Sequence, residues 1–443
     1  VASGLRRFCR GVAANGALWA IGSGLASGTV VNYLAMDYGA AGLALSFAIA
    51  APKLTSLVQL VQPWFVGRIA SRKTICLASL LVSSLVLATL PLTVEIAAGE
   101  GDFAALVALI GGWALYHLLE YVGAAALWSW MRDEVPGRIR GRVWGARESW
   151  MAAGRWIGLF AGVGLAEAAR QDWTFLGDSS WIASAMHDST FLGRHLLLAI
   201  GGGILCASVV PLFSLRDRRS AAEPFPASQY AAAFRSSAFW KLIAFATLLA
   251  AANGFAQAPQ GLFPYRVLGL TLTTMLVLRG VLFAGQGAIA TWFGKRFDQG
   301  RHRRWMLICQ LIVAAGGALF LFATPEFPWP FHAAWVMWIA YAGLNVAIPD
   351  LTLRFAPQGA AGPWIGLSFS LAAVTFGVAT VAGGWAFDHL LIANWLGLGD
   401  SARGQYDAFF LFATALRLLA AGCLFLLPGS LAKETRLTDE RPA

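Results

Sequence analysis

Charged residues are scarce in this 443-residue sequence: Asp, Glu, Lys and Arg make up 13%, against 58% hydrophobic residues. Soluble domains carry roughly 25% charged residues. A water-facing surface for a globule of this size cannot be made from so few, so the composition excludes an ordinary soluble protein. Motifs of catalysis are missing too. No phosphate-cradling loop ending in Gly-Lys-Ser/Thr occurs, which excludes direct drive by ATP. The triple glycine at 201–203 lies inside an apolar run and reads as helix packing. No His-Glu-x-x-His, no Cys/His cluster and no Ser/His/Asp set is present, so an enzyme, a metal site and a bound cofactor are not expected. The five cysteines, Cys9, Cys76, Cys206, Cys309 and Cys423, sit in or near apolar segments with no disulfide spacing. Residues 1–10 lack the character of a cleaved signal, and the apolar run after them is long enough to span a bilayer.

What the chain has in quantity is long apolar runs and 48 glycines. A spanning helix needs about 20 mostly apolar residues, and small residues let such helices approach closely in lipid. The runs predict an all-α polytopic membrane protein with twelve transmembrane helices, at about 13–36, 41–66, 74–94, 103–131, 143–168, 194–215, 239–263, 270–293, 305–324, 331–354, 361–388 and 405–428. The net charge of +10 is spread over short loops between these runs, which is the pattern of membrane topology and not of a nucleic-acid groove. With the N-terminus inside, 24 of the 33 basic residues fall in inside segments and four outside, Arg170, Arg194, Arg266 and Arg403. That asymmetry predicts two cytoplasmic termini.

The longest inside connection, 216–238, divides the chain into a six-helix bundle at 1–215 and a second at 239–443. The halves repeat one another. Pro136, Gly141, Gly145, Ser149, Ala152, Ala161 and Gly162 match Pro357, Gly362, Gly366, Ser370, Ala373, Ala382 and Gly383 at a constant offset, and Trp-Thr-Phe-Leu-Gly-Asp-Ser at 173–179 echoes Trp-Leu-Gly-Leu-Gly-Asp-Ser at 395–401. Parallel six-helix repeats are one of the known transporter layouts.

The loop Gly-Lys-Arg-Phe-Asp-Gln-Gly-Arg-His-Arg-Arg at 294–304 resembles the signature loop of the major facilitator superfamily. Its first-half counterpart is Gly-Arg-Ile-Ala-Ser-Arg-Lys at 67–73, with Ser71 where the acid is usual. The segment 136–147 also looks like the connection between helices 4 and 5 of many bacterial members. This resemblance covers nearly the whole chain and implies two pseudo-symmetric bundles that carry a small solute by alternating access. It also implies a gate latch built from Gly67, Arg68, Gly294, Asp298 and Arg301. In the latch the glycines let helices end tightly or approach a neighbour, and Asp298 pairs with an Arg or a helix N-terminus. For most of the arginines, topology alone is a sufficient explanation.

Ionisable residues within spanning helices are costly and mark function or fixed pairs. Glu120 and Arg155 lie at matching depths in consecutive helices and are expected to form an ion pair. His117 is one turn from Glu120, so the three either bind and release a proton or tie helices 4 and 5 together. Lys53 with Gln59, and Arg279 with Gln286, occupy similar places in the two halves. The two cations suit an anionic solute, or pair with Glu148 or Asp350. Asn253, Gln257 and Gln260 share a face of helix 7, and Trp338, Tyr341 and Asn345 a face of helix 10. The resemblance implies that helices 1, 4, 7 and 10 line the cavity, so these six are candidate solute contacts; the alternative is hydrogen-bonded glue between helices. Two functions follow: a secondary transporter of a small, anionic solute coupled to protons, or a transporter-like subunit that assembles, scaffolds or senses within a membrane complex. The expected partners are the solute, a proton and the lipid bilayer, with no nucleic acid.

Overall fold

A computed structural model of the chain describes residues 2–65, 71–168, 189–217, 227–356, 361–399 and 401–427; among them every regular element is a helix. The chain forms two compact units. One holds residues 1–225 and 270–277, the other 226–269 and 278–443.

In the first unit α1 (Ala2–Leu25), α2 (Gly28–Asp37), α3 (Gly42–Thr55), α4 (Val58–Phe65), α5 (Arg72–Ala98), α6 (Asp102–Glu134), α7 (Gly137–Ala168) and α8 (Ser189–Phe213) follow one another. Here α7 and α8 pack along α1, and α6 packs on α5 and α3. The α1–α7 contact is made possible by glycine. A Cβ added at Gly158 would lie 2.2 Å from the Ile21 carbonyl oxygen, and one at Gly154 2.5 Å from that of Ala17. Backbone-to-backbone approach of this kind maximises van der Waals contact where lipid offers no hydrophobic drive. A cluster of Phe8, Val12, Leu80, Leu127, Trp130 and Leu212 fills the end of the unit where α1 begins.

The second unit contains α9 (Ala227–Arg235), α10 (Ser237–Phe255), α11 (Gln257–Arg266), most of α12 (Leu272–Asp298), α13 (His302–Ala318), α14 (Trp329–Met337), α15 (Tyr341–Phe355), α16 (Ala361–Asp388), α17 (Leu391–Trp395) and α18 (Ala402–Cys423). The pairing of α1 with α7 has its counterpart here in α10 with α16. Pro259 has no N–H to give the Phe255 carbonyl four residues back. Gly383 of α16 packs against that same oxygen, where a Cβ would sit 2.0 Å away.

Each of the twelve apolar segments is mainly helical over its described residues, with breaks at 26–27 in the first and 56–57 in the second. Among the described residues, ten helices are long and apolar enough to cross a membrane. The other two segments are the first and the fifth. Three glycines and two serines at 22–28 break the first, leaving α1 only residues 11–25 beyond Arg10. The fifth is formed in full, as the 32-residue α7, but carries Arg147, Glu148 and Arg155. Large apolar side chains face outward along the helices, among them Phe103, Leu92 and Ile96, the first 81% exposed. The chain is an integral membrane protein. The echo at 173–179 lies outside the described residues.

Candidate functional site

Two polar clusters lie inside the spanning helices, one in each unit. In the first unit, α6 reads Trp113-Ala-Leu-Tyr116-His117-Leu-Leu-Glu120-Tyr121. One helical turn brings His117 Nδ1 to 2.9 Å from Glu120 Oε2. Glu120 is 7% exposed, and the imidazole lies among the rings of Trp113, Tyr116 and Tyr121. Nε2 of His117 is buried and bonds nothing among the described residues. A lone pair is cheaper to bury there than an N–H, so the network assigns the proton to Nδ1, donating to the carboxylate.

Arg155 is not part of this cluster. The expected ion pair with Glu120 does not form, because α6 and α7 are neighbours in sequence and not in packing: α6 lies on α5 and α3, α7 on α1 and α8. Arg155 is exposed, with its guanidinium 5.9 Å from the Trp19 ring of α1. Glu148, also exposed, is 3.4 Å from Nη1 of the buried Arg147.

In the second unit, Asn253 of α10 is the meeting point of three helices. Its Oδ1 accepts from Tyr341 Oη of α15 at 2.8 Å and from Arg417 Nε of α18 at 3.0 Å. Two donors on one oxygen settle the amide's orientation and turn the Nδ2 donors the other way. Arg417 is 1% exposed, and no carboxylate among the described residues pairs with it. Its backbone carbonyl accepts from Gln310 Nε2 at 2.9 Å, its Nη1 has no hydrogen-bond partner among the described residues, and its guanidinium lies 5.9 Å from the Trp338 ring. Gly317 makes room for it, since a Cβ there would be 2.5 Å from Nη1.

The other expected solute contacts fall into two groups. Gln257, Gln260 and Asn345 make no side-chain hydrogen bond with a described residue, and Gln260 Nε2 is buried without a partner. The helix breaks at Ala256, so Gln257 and Gln260 stand on α11 and continue the row of Asn253 only across a kink. Trp338 instead spends its N–H on Val313 O at 3.3 Å and stacks on Phe320, while Gln286 donates to Trp338 O at 3.4 Å. Lys53 and Gln59 are exposed on either side of the break between α3 and α4. Arg279 is half-buried in α12, 5.7 Å from the Phe283 ring, and both cations have interaction partners.

Of the expected latch, Gly294 and Arg301 are described. Gly67 and Arg68 lie outside the described residues, as does the Asp298 side chain. Gly294 neither ends a helix nor approaches a neighbour: it sits within α12, and a Cβ there would meet nothing within 4 Å. Arg301 is exposed at the start of α13. The buried group is the next residue, His302, whose Nε2 is 2.5 Å from Asp350 Oδ2; Arg354 Nε bonds the same oxygen at 2.9 Å. This triad ties α13 to α15. Sequence reasoning missed it, as it missed the role of Arg417. It also missed the cluster at the other end of the first unit, where Arg194 pairs with Asp37 and Glu95 takes both His195 and Tyr38 Oη. Burial, and then the charge of Glu95, raise the Tyr38 hydroxyl well above the ordinary phenol range, so it remains a donor. The signal for Arg417 was its position in an apolar run with no acid nearby in sequence, but nothing in the sequence said which way it faced.

No family model matches the chain, and no curated protein matches it. Solved structures do. A bacterial homolog of the human lysosomal transporter Spinster, inward-facing and unoccupied, superposes with a TM-score of 0.65 at 16% identity, covering 100% of this chain and 99% of its own. A D-xylose–proton symporter gives 0.65 at 15% identity, covering 96% and 98%. The nucleoside transporter NupG gives 0.64 at 12% identity, covering 94% and 98%. The chain has the major-facilitator fold. At these identities the likeness is one of backbone, and the major-facilitator scaffold here carries its own polar residues in α6, α10, α15 and α18.

Proposed function

We propose that this chain is a secondary transporter that moves a small, acceptor-rich solute across the membrane by alternating access, with a proton carried at Glu120–His117. The observation that carries this reading is the near end-to-end likeness, in both directions, to proteins described as transporters, one of them a proton symporter. The acid–imidazole pair supports the proton. Glu120 is buried, and among the described residues its hydrogen-bond partner is an imidazole and not a permanent cation. The donors of Asn253 Nδ2, Gln257 and Gln260 support a solute rich in acceptor oxygens. Within the second unit, the positive character of Arg279 and Arg417 favours an anionic one, with a carboxylate the simplest match.

The test is uptake into proteoliposomes holding the purified chain, with a panel of labelled carboxylates, a pentose and a nucleoside, with and without an inward proton gradient. Accumulation of one panel member above its equilibrium level, abolished by a protonophore, is the expected result. Glu120→Gln should remove gradient-driven accumulation and leave counterflow exchange of the same solute. Uptake no greater than in protein-free vesicles across the panel would overturn the transport reading. Undiminished accumulation in Glu120→Gln would remove the proton site and leave transport standing.

A further inference from the structure

A cavity of about 780 Å³ opens in the first unit between the start of α1 and the end of α8, lined by Arg6, Arg7, Arg10, Pro211 and Leu215. Arg6, Arg7 and Arg10 stand three and four residues apart on one helix, a spacing at which like charges repel. Arg216 adds a fourth cation: a Cβ at Gly4 would lie 3.9 Å from its Nη1.

These four differ from the other cations at helix ends. Lys73 is spent on the last carbonyls of α8, donating to Phe213 O at 2.8 Å and Leu215 O at 2.6 Å. Arg354 pairs with Asp350, Arg296 lies over Trp292 and Arg303 over Phe425. No side-chain partner among the described residues is found for Arg6, Arg7, Arg10 or Arg216. The wall of the cavity is apolar at Pro211 and Leu215, and next to it α8 turns Val210 and Phe213 outward, 64% and 53% exposed. A cationic mouth therefore adjoins an apolar strip on a helix that spans the bilayer. A molecule that satisfies both has a phosphate at one end and hydrocarbon at the other.

From this juxtaposition we infer that the α1–α8 cavity is a binding site for the headgroup of an anionic phospholipid. The phosphate takes charge-assisted hydrogen bonds from Arg6, Arg7 and Arg10, and the acyl chains run along α8 past Val210 and Phe213. The site lies wholly in the first unit and involves none of the residues placed in the solute or proton sites.

Native mass spectrometry of the purified full-length chain tests this. The protein in detergent is titrated with phosphatidylglycerol or phosphatidylcholine, with sn-glycerol 3-phosphate as a soluble competitor. The expected result is retention of phosphatidylglycerol over phosphatidylcholine, weakened at least about tenfold in R6Q/R7Q/R10Q. It should be kept in R6K/R7K/R10K and in the comparator R303Q, and millimolar glycerol phosphate should not displace the lipid. If the triple Gln variant cannot be purified, R7Q and R10Q should each show a partial loss. Equal retention of the two lipids, or full phosphatidylglycerol retention in the Gln variants, would overturn the site. Displacement by glycerol phosphate at equimolar level would assign the arginines to a soluble phosphate and overturn the lipid.

Discussion

Arg417 shows how much a single buried side chain can hold in register. Its Nε and the Tyr341 hydroxyl converge on one oxygen of Asn253, so an arginine on α18 decides where an amide on α10 points. Breaking a buried ion pair strands a charge and costs about 3–5 kcal/mol, whereas replacing an unpaired buried charge by an apolar group of similar volume strands nothing. Among the described residues Arg417 has no carboxylate to strand. Arg417→Met is therefore expected to leave the melting temperature unchanged or raised, while solute uptake falls tenfold or more because Asn253 loses its fixed orientation. A large fall in melting temperature, with uptake per folded molecule unchanged, would make Arg417 a structural strut instead. The candidate residues Asn253 and Tyr341 were legible in the sequence as polar groups on apolar helix faces. That they bond each other was not, because the partner choice depends on the crossing of three helices distant in sequence. The expected pairing of Glu120 with Arg155 failed for the same reason: a short connection makes two helices consecutive, and packing decides whether they touch.

At the scale of elements, the glycines separate into those that carry a contact and those that do not. The sequence repeat put Gly162 and Gly383 at equivalent places, and only Gly383 is pressed against a neighbouring backbone; Gly162 has ordinary clearance. Repeated identity preserves a position, while the need for a missing Cβ depends on how near the next helix comes. Gly158→Leu or Gly383→Leu should disrupt its helix pair and sharply lower the yield of folded protein, measured by size-exclusion chromatography in detergent. Gly294→Ala, in contrast, meets open space within a helix and should stabilise by up to about 1 kcal/mol, since alanine costs less chain entropy there. A destabilised, inactive Gly294→Ala would restore the tight latch that the signature loop implied. The His302–Asp350–Arg354 triad was hidden because His302 lies 48 positions from Asp350, and the signature loop that holds His302 does not say which helix it meets.

For the whole molecule, apolar length and the distribution of arginine carried most of the fold. Twelve apolar segments, the all-helical class of the described residues and the major-facilitator fold were all readable before any coordinate. The two apolar segments outside the ten membrane-length helices, the first and the fifth, are those where glycine breaks the helix or charge has been admitted into it. Orientation in the bilayer is an expectation from charge. An impermeant maleimide added from outside should label Ser180→Cys and spare Ala221→Cys in a background freed of the native cysteines; the reverse pattern would invert the topology.

The helix breaks described earlier recur in four spans: at residues 26–27, at 56–57, at Ala256 and at the 3-10 turn of Trp338–Ala340. Mechanically, each of these spans is two short levers joined by a pin and not one stiff rod. A pin of this kind predicts that tilting one half of a helix need not carry the other half with it.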